Sequence, residues 1–199
     1  MLGNKKSSGD SDIPSTPENA KDQKKRTRTF IMIGLLLGML MSAMNQTIVG
    51  TSIPKIVGEL GGMGIYSWLF TAYILGEIIT ILIAGKMSDR MGRRPVFLAG
   101  TIVFLAGTIL ATTASSMEML IFCMLVQGLG SGVIMPVAMT TVADLYPPTE
   151  IGKMQGIMGA VFAVASVVGP FLGGFIVDNA GWRYVFVVAV PLGITRALA

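Results

Sequence analysis

The sequence contains no histidine and only one cysteine, Cys123, which lies inside an apolar run. Catalytic triads and metal sites built on histidine are therefore excluded. One cysteine cannot form an intrachain disulfide or a cluster of metal-ligating thiolates. Charged residues are also scarce, at 13% of the chain. This composition argues against an enzyme, and it predicts neither a metal ion nor a cofactor.

What the sequence has in abundance is long apolar runs. Hydrophobic residues make up 52% of the chain, and the mean hydropathy is +0.70. Because about 20 apolar residues cross the hydrocarbon core of a bilayer as a helix, we expect an all-α membrane protein. The predicted spans cover approximately residues 30–49, 66–84, 95–114, 119–143, 155–177 and 184–199. The last run is too short for a full crossing, so the sixth helix is expected to be truncated.

Basic residues are distributed unevenly along the chain. Residues 1–29 are polar and rich in lysine and arginine, and we expect them to form a disordered tail. Most of the other basic residues fall in loops that share one side of the membrane with this tail. The positive-inside rule then predicts a multi-pass protein with a cytoplasmic N-terminus. We expect this protein in the plasma (inner) membrane. Since this rule accounts for the net charge of +4, no nucleic-acid partner is implied.

Residues 85–94 hold five charges between two apolar runs. This pattern predicts a hairpin of two spans with a tight basic turn, framed by Gly85 and Gly92. Asp89 is expected to lie within reach of the neighbouring arginines. The stretch resembles the Gly-x-Leu-Ala-Asp-Arg-x-Gly-Arg-Lys motif of major facilitator superfamily transporters, with Met87 at the usual leucine. The motif residues are Gly85, Asp89, Arg90, Gly92, Arg93 and Arg94.

The resemblance implies the N-terminal six-helix half of a major facilitator fold. In such transporters the basic turn docks against the other half and helps to set the inward and outward states. The implied partners are therefore the lipid bilayer and either the C-terminal half or another copy of the chain.

The candidate site residues inside the apolar spans are one carboxyl and three amide side chains: Glu77, Asn45, Gln46 and Gln127. A charged group near the bilayer centre is costly unless it faces a watery cavity or a partner. Glu77 is therefore the best candidate for binding a proton or a cation, the alternative being a carboxyl group held neutral by one hydrogen bond. Asn45 and Gln46 either act in transport or bond only to neighbouring helices.

Three further segments resemble motifs of the superfamily. Asn45 replaces the acid of a first-helix motif of the fourteen-helix drug:proton antiporter branch, and Met124 replaces the arginine of a superfamily fourth-helix motif that also includes Gln127. Ile151 stands where relatives often carry an arginine. The fifth span resembles a Gly-x-x-x-Gly-Pro-x-x-Gly-Gly antiporter motif, and proline is expected to kink this helix. The matching positions are Ala165, Gly169, Pro170, Gly173 and Gly174.

The leading functional hypothesis is multidrug efflux in exchange for protons. The substrates would be lipophilic and often cationic small molecules. The methionines suit an adaptable apolar pocket, although they also suit lipid contact or core packing; they include Met39, Met41, Met44, Met135 and Met139. One alternative is a truncated, transport-inactive fragment that acts as a membrane interaction partner, which the lost charges favour. A metabolite uptake carrier fits the basic turn but fits the fifth-span motif poorly.

Overall fold

The computed structural model describes residues 17–187, with side chains from Arg28 onward except Phe30. Five long helices follow one another in this range: α1 Pro17–Leu60, α2 Trp68–Met91, α3 Arg93–Thr112, α4 Met117–Leu145 and α5 Pro148–Asn179. Each contains a stretch long and apolar enough to cross a membrane. Residues 182–187 begin a further helix. The rest of the sixth span, predicted over residues 184–199, lies outside the described part of the chain.

Helix α1 extends beyond its predicted apolar run in both directions. It starts at Pro17, so residues 17–29 are helical where the composition led us to expect disorder. Proline is tolerated in the first turn of a helix, and the residues that follow are mostly good helix formers. At its other end α1 continues through Pro54 to Leu60. Residues 1–16 of the predicted tail lie outside the described range.

The basic turn is shorter than the sequence suggested. Helix α2 continues through Met91, and Gly92 alone separates it from α3. Gly92 has φ +89° and ψ 156°, a backbone conformation that is essentially restricted to glycine. Gly85 instead lies within α2, where an added Cβ would meet nothing within 4 Å. The prediction that Gly85 frames the turn was therefore wrong, because the polar residues after it reach water while remaining helical.

The connection between α4 and α5 is equally short. Only Tyr146 and Pro147 separate the two helices, whereas the sequence suggested a loop over residues 144–154. Pro148 occupies the first position of α5, where its missing N–H costs nothing. The prediction that the two prolines interrupt the helix is confirmed, but the break is confined to these residues.

Helix α4 is the axis of the bundle, with α2 on one face and α3 on another. Glycines allow the backbones to approach closely. A Cβ at Gly128 would overlap the Tyr73 carbonyl oxygen of α2, and a Cβ at Gly130 would overlap the Phe104 amide nitrogen of α3. This small-residue packing is typical of membrane helices, and it fixes α2, α3 and α4 against one another.

Helix α1 pairs with α5 in a similar way and is tied to it near their adjoining ends. The Lys55 ammonium donates to the Val177 carbonyl at 2.7 Å. One turn further along α1, Glu59 accepts from the Trp182 indole N–H at 2.8 Å and from Arg183 at 3.2 Å. These bonds join the end of α1 to the segment after α5, at the end of the bundle opposite Gly92.

Large apolar side chains cover the outer faces of α2, α3 and α5. Leu82 is 73% exposed, Ile102 61% and Phe171 77%. Exposed apolar side chains on that scale are expected for helices that lie in hydrocarbon rather than in water.

Candidate functional site

A recess of about 50 Å³ opens on the side of the bundle where α1, α2, α4 and α5 meet. Its polar wall includes Gln46 from α1 and Glu77 from α2. Its apolar wall includes Met39, Met135 and Phe162, the last of which is 48% exposed. The recess therefore combines a small polar floor with a flexible apolar rim, which is the usual composition of a small-molecule site.

Three hydroxyl groups form the floor of the recess. The Tyr73 hydroxyl donates to the Ser131 Oγ at 2.8 Å, and the Ser42 Oγ lies 2.5 Å from the Ser131 Oγ. The Ser42 Oγ also lies 3.4 Å from the Tyr73 hydroxyl. These residues belong to α1, α2 and α4, so this hydroxyl cluster joins the three helices at one point. All three also line the recess.

Asn45 and Gln127 form a buried amide pair about one turn from the hydroxyl cluster. The Asn45 amide donates to the Gln127 Oε1 at 2.8 Å, and the two residues are only 3% and 0% exposed. The Asn45 Oδ1 and the Gln127 Nε2 have no partner among the described residues. The structure thus joins two predicted site residues to each other, and neither lines the recess.

Met124, which stands at the arginine position of the fourth-helix motif, is 1% exposed and packs in the main apolar cluster. The cluster also contains Ile48, one turn from Asn45 on α1. The interface of α1 with α4 is therefore neutral at both positions where the resemblance implies a charge.

Glu77 differs from the other charged residues of the described spans because it lies far from a span end. It lies near the middle of α2 and lines the recess. A Cβ on Gly132 of α4 would overlap the Glu77 carbonyl oxygen, so the backbone at Glu77 is pressed directly against α4. Across the spans from Ile31 to Asn179, every other Lys, Arg, Asp and Glu lies within about two turns of a span end.

The residues of the basic turn lie at the end of the bundle marked by Gly92, away from the recess. Asp89, Arg90 and Arg94 are exposed. Arg93 pairs with Asp144 at the end of α4 at 2.7 Å. The described side chains show no ion pair between Asp89 and an arginine, so the expected contact of Asp89 with its neighbours is absent here.

Two glycines of the fifth-span motif, Gly169 and Gly173, face α1. Ala165 is fully buried, and a Cβ at Gly169 would overlap the Thr47 hydroxyl. A Cβ at Gly173 would lie 2.6 Å from the Thr51 hydroxyl, whereas Gly174 faces open space. Pro170 lies inside α5, between the two glycines that contact α1. The motif therefore sets the packing of α5 on α1.

The sequence analysis missed the hydroxyl cluster, although residue spacing contains a signal for it. Tyr73 precedes Glu77 by four residues, and Ser131 follows Gln127 by four, so each lies one turn from a predicted site residue. Ser42 lies three residues before Asn45. Phe162 carries no comparable signal, because one aromatic residue in an apolar helix is ordinary.

Comparison with known proteins identifies the fold. The family model described as Major Facilitator Superfamily matches residues 35–199. The chain belongs to the major facilitator superfamily. It is 44% identical over 179 residues to the multidrug transporter protein MdtP of Bacillus subtilis, an alignment that covers 90% of this chain and 33% of MdtP.

A second relative is similarly close. Multidrug resistance protein 3 of Bacillus subtilis is 44% identical over 170 residues, which cover 85% of this chain and 33% of that protein. The chain thus spans about a third of the length of these curated relatives. These matches and the five apolar helices show a multi-pass membrane protein of a transporter family.

Solved structures confirm the architecture. The crystal structure of the human organic anion transporter MFSD10 superposes with a TM-score of 0.68 at 19% sequence identity. The superposition covers 86% of this chain and 46% of the human protein. At this identity the match shows the fold alone, and it agrees with the N-terminal half of a major facilitator fold.

Proposed function

We propose that the chain forms the N-terminal half of a multidrug efflux transporter that exports lipophilic, often cationic compounds in exchange for protons. The observation that carries this proposal is the position of Glu77. Its carboxylate lies in the middle of an apolar span and lines a recess between four helices. Two close relatives are named as multidrug proteins, which supports the substrate class. The antiporter-like motifs favour the fourteen-helix branch.

Exchange requires a group that binds either a proton or a cation but not both. A carboxylate in a poorly hydrated recess suits this role, because leaving its charge unpaired there is unfavourable. Proton binding at Glu77 would neutralise it and release a cation, and proton loss would restore the attraction. Asn45 and Met124 cannot contribute a charge, so Glu77 would carry the coupling in this half alone.

A complete transport path needs a second wall for the recess. We propose that a facing half, from the same polypeptide or from another copy, covers the open side. The basic turn around Gly92 would then dock against that half in the cytoplasm of the cell, with the transporter in the plasma membrane. This orientation follows from the distribution of basic residues.

The test is ethidium transport in vesicles that contain the chain, with and without an imposed pH gradient. We expect gradient-dependent transport in the unmodified protein and at least about a tenfold loss in Glu77→Gln, since loss of an essential charged contact costs more than 1.4 kcal/mol. Glu118→Gln is the matched control, because Glu118 is exposed in the first turn of α4.

Two outcomes would contradict the proposal. Equal loss in both variants would show that Glu77 has no special role. Absence of transport in every variant, with the protein present in the membrane, would show that another copy does not supply the facing half, and it would favour a transport-inactive membrane interaction partner.

A further inference from the structure

The recess is small compared with a drug molecule. Its volume of about 50 Å³ matches a few water molecules, so only one end of a substrate can enter it. The remainder would lie against the apolar rim, where Met135 and Phe162 are each nearly half exposed. The polar floor therefore selects a head group, and the rim accepts a variable apolar body.

One arrangement of the hydroxyl protons that the distances allow indicates which head group fits the floor. Tyr73 donates to Ser131. Ser131 can then donate to Ser42, and Ser42 can donate back to Tyr73 across the longer contact. In this arrangement each hydroxyl proton is used within the cluster, whereas each oxygen retains a lone pair.

The charges of the recess agree with this arrangement. Glu77 adds a carboxylate, which accepts hydrogen bonds and does not donate when ionised. Among the side chains that the structure describes, no lysine or arginine lines the recess. Apart from the Gln46 amide, the floor thus presents hydrogen-bond acceptors.

We propose that this floor is a subsite for a small cationic head group that carries N–H donors, such as a primary or secondary ammonium. The inference rests on the proposed efflux function and narrows its substrate class. An ammonium can donate to the Glu77 carboxylate and to the hydroxyl oxygens simultaneously, and such charge-assisted bonds are the stronger kind. A quaternary ammonium has no N–H donor, so it keeps only the electrostatic attraction to the Glu77 carboxylate.

The experiment compares two fluorescent probes that differ only at the head group. Dansylcadaverine is a primary alkylamine, and its trimethylammonium analogue keeps the charge without the N–H donors. Binding of each to the purified chain in lipid nanodiscs is followed by dansyl fluorescence. We expect the primary amine to bind at least about tenfold more tightly, which corresponds to one charge-assisted hydrogen bond.

Variants assign the preference to particular groups. Glu77→Gln should weaken binding of the primary amine about tenfold. Tyr73→Phe or Ser131→Ala should reduce the preference for the primary amine over the quaternary probe. Each of the latter two removes one oxygen and little volume, so neither depends on a large repacking. Ser166→Ala is the control, because the Ser166 hydroxyl is exposed and bonds only to Phe162 O on its own helix at 2.9 Å.

The outcomes separate the two proposals. Equal affinity for both probes, or tighter binding of the quaternary probe, would overturn the head-group subsite. If ethidium transport still depends on Glu77 in that case, the efflux function stands. Failure of both probes to bind would also overturn the subsite. A preference that disappears in Ser166→Ala as readily as in Ser131→Ala would show that it does not arise at the recess.

Discussion

Restoring the two charges that the resemblance implies tests whether the side chains at positions 45 and 124 interact directly. Asn45 is 3% exposed and Met124 is 1% exposed, so an unpaired charge at either position has no access to water. Breaking a buried ion pair by removing one partner costs about 3–5 kcal/mol. We therefore expect Asn45→Asp and Met124→Arg each to lower the free energy of unfolding by about that amount.

The double variant should lose about 2 kcal/mol less than the sum of the single ones. Asn45 contacts Gln127 across the α1 and α4 interface at 2.8 Å. Residue 124 lies three residues before Gln127, about 4.5 Å along the helix, and the long arginine side chain can bridge that separation. We expect a coupling energy of about 2 kcal/mol, within the range for residues in contact.

The assay is reversible unfolding in mixed micelles, followed by circular dichroism at a pH where a free carboxyl is ionised. Asn45→Asp combined with Met117→Arg is the matched control, because Met117 is 2% exposed on the same helix but lies two turns further from position 45. The reasoning would be refuted if the Asn45→Asp and Met124→Arg effects added without coupling, or if the control pair coupled as strongly.

Three further predictions concern helix packing and helix ends, each read by the same unfolding assay. Gly130→Ala should destabilise the protein by at least about 1–3 kcal/mol, because its Cβ would overlap the α3 backbone. Gly159→Ala, whose Cβ would lie in open space, should stabilise α5 by about 0.5–1 kcal/mol. Equal effects of the two variants would contradict the packing of α4 on α3. Gly92→Ala should lower the free energy of unfolding by about 1–3 kcal/mol, because residue 92 has a positive φ, and Gly85→Ala should not lower it. A larger loss of stability in Gly85→Ala would place the turn at Gly85. Trp182→Phe should cost about 1–3 kcal/mol for the lost indole bond to a carboxylate, and an unchanged stability would show that this bond contributes nothing.

The five complete spans could be predicted from the sequence because burial in hydrocarbon requires long apolar runs. Their ends could not be placed so well. At a membrane surface, lysine and arginine can remain helical while their charged groups reach water, so polarity alone does not mark a helix end. The chain reverses at Gly92 because of its backbone conformation, and nothing in the charge pattern distinguishes this glycine from Gly85.

The candidate site was predictable only in part, for a related reason. Glu77 is conspicuous in the sequence because charge is rare in the spans, and it lines the recess. Hydroxyl side chains in membrane helices are common, and most bond to their own backbone, as Thr108 does to Phe104 O at 2.8 Å. Ser131 differs because it bonds to Tyr73 and Ser42 on other helices. Such contacts depend on how the helices are rotated, which the sequence does not state.

Helix α4 shows how that rotation is encoded. Gln127 and Ser131 are one turn apart and contact side chains of α1, and Ser131 also contacts the Tyr73 side chain of α2. Gly128 and Gly132 are one turn apart and lie against the α2 backbone. Each glycine follows a polar residue by one position, so the two faces are about 100° apart around the helix. If α4 rotated by one residue, it would direct Gln127 and Ser131 at the α2 backbone, where there is no room for a side chain. Close packing against α2 therefore fixes the direction of the polar residues, and the position of the recess follows from the positions of the glycines.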